Sequence, residues 1–153
     1  AKLLKGKSHY FRREYDSAVL IFNQLIQEEG FDQEARYWLA LCKWRDLKPQ
    51  PAINDLKNLI EEVDSEEFMS RIYLSLGEIN LSIDNSEDAY NNFNKGANLS
   101  KNRLLREQVY FQIAEISFEN SDFDNALESY QKVLELVGCY QLTEKMFKRL
   151  RRC

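Results

Sequence analysis

Apolar residues return along this chain every three or four positions, in stretches of a few helical turns separated by short polar segments. The spacing is clearest from Leu105 onward, where Val109, Ile113 and Ile116 complete one helical face. Glu119-Asn120-Ser121-Asp122 then supplies residue types that start helices. Helical spacing resumes through Phe123, Ala126, Leu127, Tyr130, Val133 and Leu134. The same form occurs earlier: Tyr73, Leu76 and Ile79, the turn Asp84-Asn85-Ser86, then Ala89, Phe93 and Ala97. Glu87 and Asp88 fall in the first turn of that second helix, where the dipole favours acids. At the start of the chain, Leu3, Leu4, Gly6 and Tyr10 lead into Arg13-Glu14-Tyr15-Asp16, followed by Ala18, Phe22, Leu25 and Ile26. The second block is the least regular. Its turn, Leu47-Lys48-Pro49-Gln50-Pro51, sets two prolines at a helix start, where the absent N–H groups have no internal acceptor to miss.

These helix pairs share a register. Ala18, Ala52, Ala89 and Ala126 recur at separations of 34, 37 and 37 residues. Twelve residues before each stands a small residue (Gly6, Ala40, Gly77, Ala114), and four after each a large one (Phe22, Leu56, Phe93, Tyr130). Periods in this range belong to stacked helical repeats. Small residues mark the positions where two helices cross closely, and the bulky residue is expected to fill space against the next pair. Three extra residues separate the later alanines, placed either in longer helix ends or in longer loops near 63–68 and 99–104.

The blocks resemble tetratricopeptide repeats, whose pattern joins a leucine–glycine pair, a later tyrosine, and a spaced alanine and aromatic. Tyr73, Leu76-Gly77, Ala89 and Phe93 carry the resemblance, as do Tyr110, Ile113-Ala114, Phe123, Ala126 and Tyr130. The first block retains Gly6, Tyr15, Ala18 and Phe22, the second Leu39-Ala40 and Ala52. The resemblance implies an all-α fold, a right-handed helical-repeat solenoid of about four helix pairs plus a C-terminal helix. One domain over 1–153 is expected, with repeats near 1–30, 33–64, 70–100 and 107–138. A capping or partial-repeat helix is expected over 140–152, through Leu142, Met146 and Leu150. The 37-residue spacing is also similar to that of bacterial envelope-associated members of the family.

The resemblance further implies that the first helix of each pair lines a concave groove that holds a peptide or protein segment. By register that groove takes Tyr10, Tyr37, Leu41, Trp44, Arg45, Arg71, Glu78, Phe111, Glu115 and Phe118. Trp38, beside Leu39-Ala40, is expected in the core, whereas Trp44 divides evenly between core and groove. One subgroup of the family grips C-terminal carboxylates through lysines and asparagines. Here the matching positions hold Leu3, Lys7, Trp38, Arg71 and Gln112, so most of that clamp is missing.

Composition narrows the function classes. With 44% hydrophobic and 30% charged residues the chain reads as a soluble protein, cytoplasmic or periplasmic, and its apolar runs are too short to cross a bilayer. Three scattered cysteines, Cys42, Cys139 and Cys153, do not make a disulfide framework. Net charge is −4, unevenly placed: residues 51–100 are acidic, while residues 1–13 carry Lys2, Lys5, Lys7, Arg12 and Arg13 and no acid. The basic run at 148–152 is too narrow for a nucleic-acid face, so nucleic acid is not an expected partner.

His9 is the only histidine and lacks a recognisable nucleophile or orienting acid, which leaves it a helix-surface or packing residue. No zinc-ligand spacing, calcium loop or phosphate-binding glycine loop occurs, so no metal or cofactor is expected. The acids at Glu61, Glu62, Asp64, Glu66 and Glu67 read as a solvated helix end and loop. The leading expectation is a non-enzymatic adaptor for a protein or peptide ligand, with self-association through an open repeat end as a further expectation. The alternative is a structural repeat segment of a larger protein, spacing other domains, because the chain opens inside a helical pattern.

Overall fold

The computed structural model describes residues 1–137; the helix expected over 140–152, Cys139, Cys153 and the basic run lie outside the described residues. Among the described residues there are eight helices and no strand: α1 (Lys2–Phe11), α2 (Tyr15–Leu25), α3 (Asp32–Arg45), α4 (Pro49–Ile60), α5 (Glu66–Ser82), α6 (Ser86–Leu99), α7 (Arg103–Glu119) and α8 (Phe123–Val137). The fold is all-α and built of helical repeats. Its chain forms two compact units, Ala1–Phe68 and Met69–Cys153, which divide in the first turn of α5. In the first unit α1 packs on α2, α3 on α4, and α3 also on α2; in the second α7 packs on both α8 and α6.

One turn geometry joins the two helices of every pair. Residues 12–14, 46–48, 83–85 and 120–122 form these links, each three residues long. The middle residue of each (Arg13, Leu47, Asp84 and Ser121) has φ of 64°, 57°, 58° and 62°. In the first link the Glu14 N–H donates to the His9 carbonyl and the Arg13 N–H to the Tyr10 carbonyl, both at 2.9 Å. The pairs Lys48 to Lys43, Asn85 to Asn80 and Asp122 to Ser117 repeat the first of those two bonds, which spans five residues. This is the Schellman closure, which satisfies the last carbonyls of a helix by turning one residue left-handed. The next helix starts at once, so Tyr15 and Asp16, expected in a turn, already belong to α2. Pro49 and Pro51 likewise fall inside the first turn of α4. Side chains cap the four later helices: Ser65 accepts from the Phe68 N–H at 3.3 Å, Asn85 from the Asp88 N–H at 3.4 Å, Asn102 from the Leu105 N–H at 3.1 Å and Asp122 from the Asn125 N–H at 3.3 Å.

The change of period from 34 to 37 is taken up in the helices. The first helix of the second pair, α3, has 14 residues, whereas α5 and α7 each have 17. The segments at 61–65 and 100–102 are no longer than that at 26–31, so the extra residues extend the first helices.

Each pair closes on the small residue identified by register. A Cβ built on Gly6 would lie 2.5 Å from a ring carbon of Phe22, and one on Gly77 2.6 Å from Phe93. The bulky residue therefore sits first on its own pair's small position, not only on the next pair as expected. Phe22 does both: its far side stacks on Trp38 of the next pair, with centroids 6.0 Å apart and planes at 19°. The alanines Ala18, Ala52, Ala89 and Ala126 are 0–2% exposed. Further along the α5–α6 contact, Gly96 leaves room for the Leu74 side chain, and the Ser70 hydroxyl donates to the Gly96 carbonyl at 2.7 Å. Leu4, expected on the packing face, is 72% exposed. It lies roughly 200° around the helix from Gly6, at 3.6 residues per turn.

Two stability predictions follow from this geometry. Gly77→Ala gains about 1 kcal/mol in helix propensity but forces the Phe93 ring away, so a net loss of about 1–2 kcal/mol is expected in urea unfolding. Adding Phe93→Leu should recover most of that loss, because Ala40 already faces the register of Leu56 in the second pair. An unchanged double mutant would sink the account. Leu47→Gly should raise stability by about 0.5–1 kcal/mol, since the 91% exposed side chain loses no packing and glycine relieves the left-handed strain. A lower urea midpoint for this variant would mean that the turn is not strained.

Candidate functional site

The groove residues expected by register separate into buried, half-buried and exposed sets. Tyr10, Tyr37 and Leu41 are buried, at 8%, 5% and 6% exposure. Trp44, Arg71, Phe111, Glu115 and Phe118 are half-buried, and Arg45 and Glu78 are exposed. Trp38 is in the core at 8% exposure, as its neighbours Leu39-Ala40 imply.

In the first unit, α1 and α3 bring three of these residues together. Tyr10 is one turn beyond Gly6, on the packed face of α1. Arg45 Nε donates to Tyr10 Oη at 3.1 Å. The Arg45 guanidinium carbon also lies 3.9 Å from the Trp44 ring centroid, a cation–π distance. Burial pushes the Tyr10 hydroxyl above its ordinary pKa, against the lowering effect of Arg45, so the phenol stays neutral and accepts the hydrogen bond.

Around that trio runs a network of rings set edge to face. Tyr10 meets Trp38 at 5.1 Å, Phe11 at 5.5 Å and Tyr15 at 5.7 Å. Phe11 meets Trp38 at 5.8 Å and Tyr37 meets Phe68 at 5.8 Å. Lys7 Nζ stands 5.2 Å from the Trp38 ring and donates to Glu34 at 3.1 Å, while Trp38 Nε1 donates to the same carboxylate at 3.4 Å. Phe11 is absent from the residues expected by register, yet it is 71% exposed within this network. The available signal was local: an aromatic one residue past Tyr10, at the end of α1.

The second unit arranges its share on α7 and α8. Phe111 lies edge to face on Tyr130 at 6.0 Å, and the Tyr130 hydroxyl donates to Glu115 at 2.5 Å. Phe118 meets Phe123 at 5.6 Å. Arg71 and Glu78 stand on α5, the first half-buried and the second exposed.

Two open hollows border the second helices of the pairs. One of about 430 Å³ lies between α2, α3 and α4, with Val19, Asn23, Leu39 and Asn58 on its walls; Lys43 and Asp55 pair there at 2.5 Å. Another of about 530 Å³ lies between α6, α7 and α8, where the Tyr90 hydroxyl donates to Asn125 at 2.9 Å. Neither includes a residue expected to bind a partner. Among the described residues no group of three or more His, Cys, Asp or Glu is placed to hold a metal ion. Burial pushes the Cys42 thiol up to about 12, so it is a packing group at neutral pH, since the thiolate is the reactive form. His9 bonds Glu14, a link across the first turn. No described helix is long and apolar enough to cross a membrane.

The comparisons agree with this architecture. A family model described as tetratricopeptide repeat matches residues 107–136, which span most of α7 and α8. The structure is similar to a crystal structure of MamA, with TM-score 0.65 and 18% identity over 86% of this chain and 73% of that one. It is similar also to MamA 41-end from Desulfovibrio magneticus RS-1, with TM-score 0.67 and 17% identity over 88% and 73%. Against the APC/C hetero-tetramer Cut9–Hcn1 the TM-score is 0.71 at 18% identity, over 99% of this chain and 29% of that one. At such identities the likeness carries the fold alone. No curated protein sequence matches the chain. Tetratricopeptide folds generally serve as protein–protein interaction scaffolds and are typically non-enzymatic. Residues 107–136 thus carry a tetratricopeptide repeat, and the helix pairs before them repeat its register within a fold shared with solved tetratricopeptide-repeat structures.

Proposed function

We propose that this protein is a non-enzymatic adaptor that binds a peptide or protein segment on the first-helix face of its repeats. The observation that carries this reading is the Trp44–Arg45–Tyr10 assembly. Tryptophan, tyrosine and arginine are the residues most often found where binding energy concentrates. Here an exposed cation contacts a buried phenol and a half-buried indole at once. Such preorganisation lowers the entropic cost of ordering side chains on binding. The half-buried Phe111 and Phe118 and the acid Glu115 supply comparable chemistry on α7, and Arg71 and Glu78 supply charge on α5. Hydrophobic anchors then provide most of the affinity, and the charges bias partner choice and approach.

The test is a random-peptide display selection on the intact chain, followed by titration of the selected peptides against wild type and Trp44→Ala. The substitution is expected to weaken binding by roughly tenfold, about 1.4 kcal/mol, while cooperative melting is retained. Equal affinity for both proteins would remove Trp44 from the binding face.

A further inference from the structure

We propose that the rim formed by the C-terminal ends of α1 and α3 selects acidic segments that carry an aromatic side chain among their carboxylates. This inference rests on the adaptor reading and names the partner chemistry of the same face. It begins from Phe11, which is 71% exposed although its ring touches both Tyr10 and Trp38. A large apolar side chain left in water but fixed from behind by two packed rings is a ready platform for a second aromatic ring.

Arginines stand at both helix ends beside that platform, Arg12 and Arg13 after α1 and Arg45 at the end of α3, with the acids Glu14 and Asp46 next to them in sequence. Residues 1–13 contain five bases and no acid, in a chain of net charge −4. Of these bases, Lys2 pairs with Glu28, Lys7 with Glu34, and Arg12 with Glu14 at 2.7 Å. Arg13 is exposed and stands two residues from Phe11, in the left-handed position of the first turn. Basic residues at a helix end often serve its last carbonyls, but here backbone donors already hold those of Ser8, His9 and Tyr10. Arg13 is therefore not consumed in capping α1. Across the rim, Tyr10 and Trp44 orient Arg45. An exposed apolar ring on a helix end that also carries arginine matches a partner ring flanked by carboxylates, which arginine binds with directional, charge-assisted hydrogen bonds. Recognition is by side chains of the segment, so a free C-terminal carboxylate is not required.

The experiment uses the peptides selected by display on the full chain. They are expected to be rich in Asp and Glu with an aromatic residue. Their affinity should fall roughly tenfold with Phe11→Ala and with Arg13→Glu, and less with Arg13→Gln. Amidating their C-termini should change nothing, and added salt should weaken them. Phe11 and Arg13 are both exposed, so the variants are expected to melt like wild type. Selected peptides that are basic or uncharged, or that ignore Arg13→Glu, would overturn this inference; if Trp44→Ala still weakened them, the adaptor reading would stand. Failure to select any peptide would overturn both.

Discussion

Every helix pair in this protein depends on one close approach, made sixteen residues apart in sequence. Gly6 meets Phe22, Gly77 meets Phe93, and Ala40 and Ala114 hold the same register against Leu56 and Tyr130. A ring that lies within 3 Å of where a Cβ would stand can do so only if that carbon is absent. Side-chain volumes are thus exchanged across the crossing: glycine pairs with phenylalanine, and alanine with leucine or with tyrosine. Protein interiors are packed as densely as organic crystals, so this exchange fixes the helix separation, and with it the rotational setting of each first helix. Tyr10 is buried because Gly6, one turn before it, faces the crossing.

The links add a second constraint. Four three-residue turns carry one geometry, and none uses glycine at the left-handed position. Such a conformation costs an ordinary residue about 1 kcal/mol or more, so it persists only because packing on both sides over-determines it. With these links invariant, the change of repeat length falls on the first helices, which are the elements that present the proposed binding face.

That face divides its labour. Buried rings such as Tyr37 and Trp38 lock one another edge to face and contribute stability, whereas Phe11, Trp44 and Arg45 meet solvent from a fixed base. Ion pairs nearby, such as Arg36 with Glu62 at 2.6 Å, lie on an exposed surface where a pair is worth little. Their larger effect is on where charge is presented: Glu34 and Glu14 pair with Lys7 and Arg12, and Arg13 stands exposed at the end of α1.

The sequence by itself determined the repeat architecture, the crossing positions and the burial of Trp38. Each of these depends on residue size and on spacing along one helix, which are local quantities and survive in a linear string. The left-handed turns were not legible, because Arg13, Leu47, Asp84 and Ser121 share no chemistry that demands that conformation. Nor did spacing separate Tyr10, Tyr37 and Trp44, which read alike on one helical face yet end at different depths. Register also omitted Phe11. Burial is decided by what arrives from other helices, and an aromatic side chain is equally suited to a core and to a binding face. Only the packed arrangement of α1, α2 and α3 settled which rings were covered and which were left in contact with solvent.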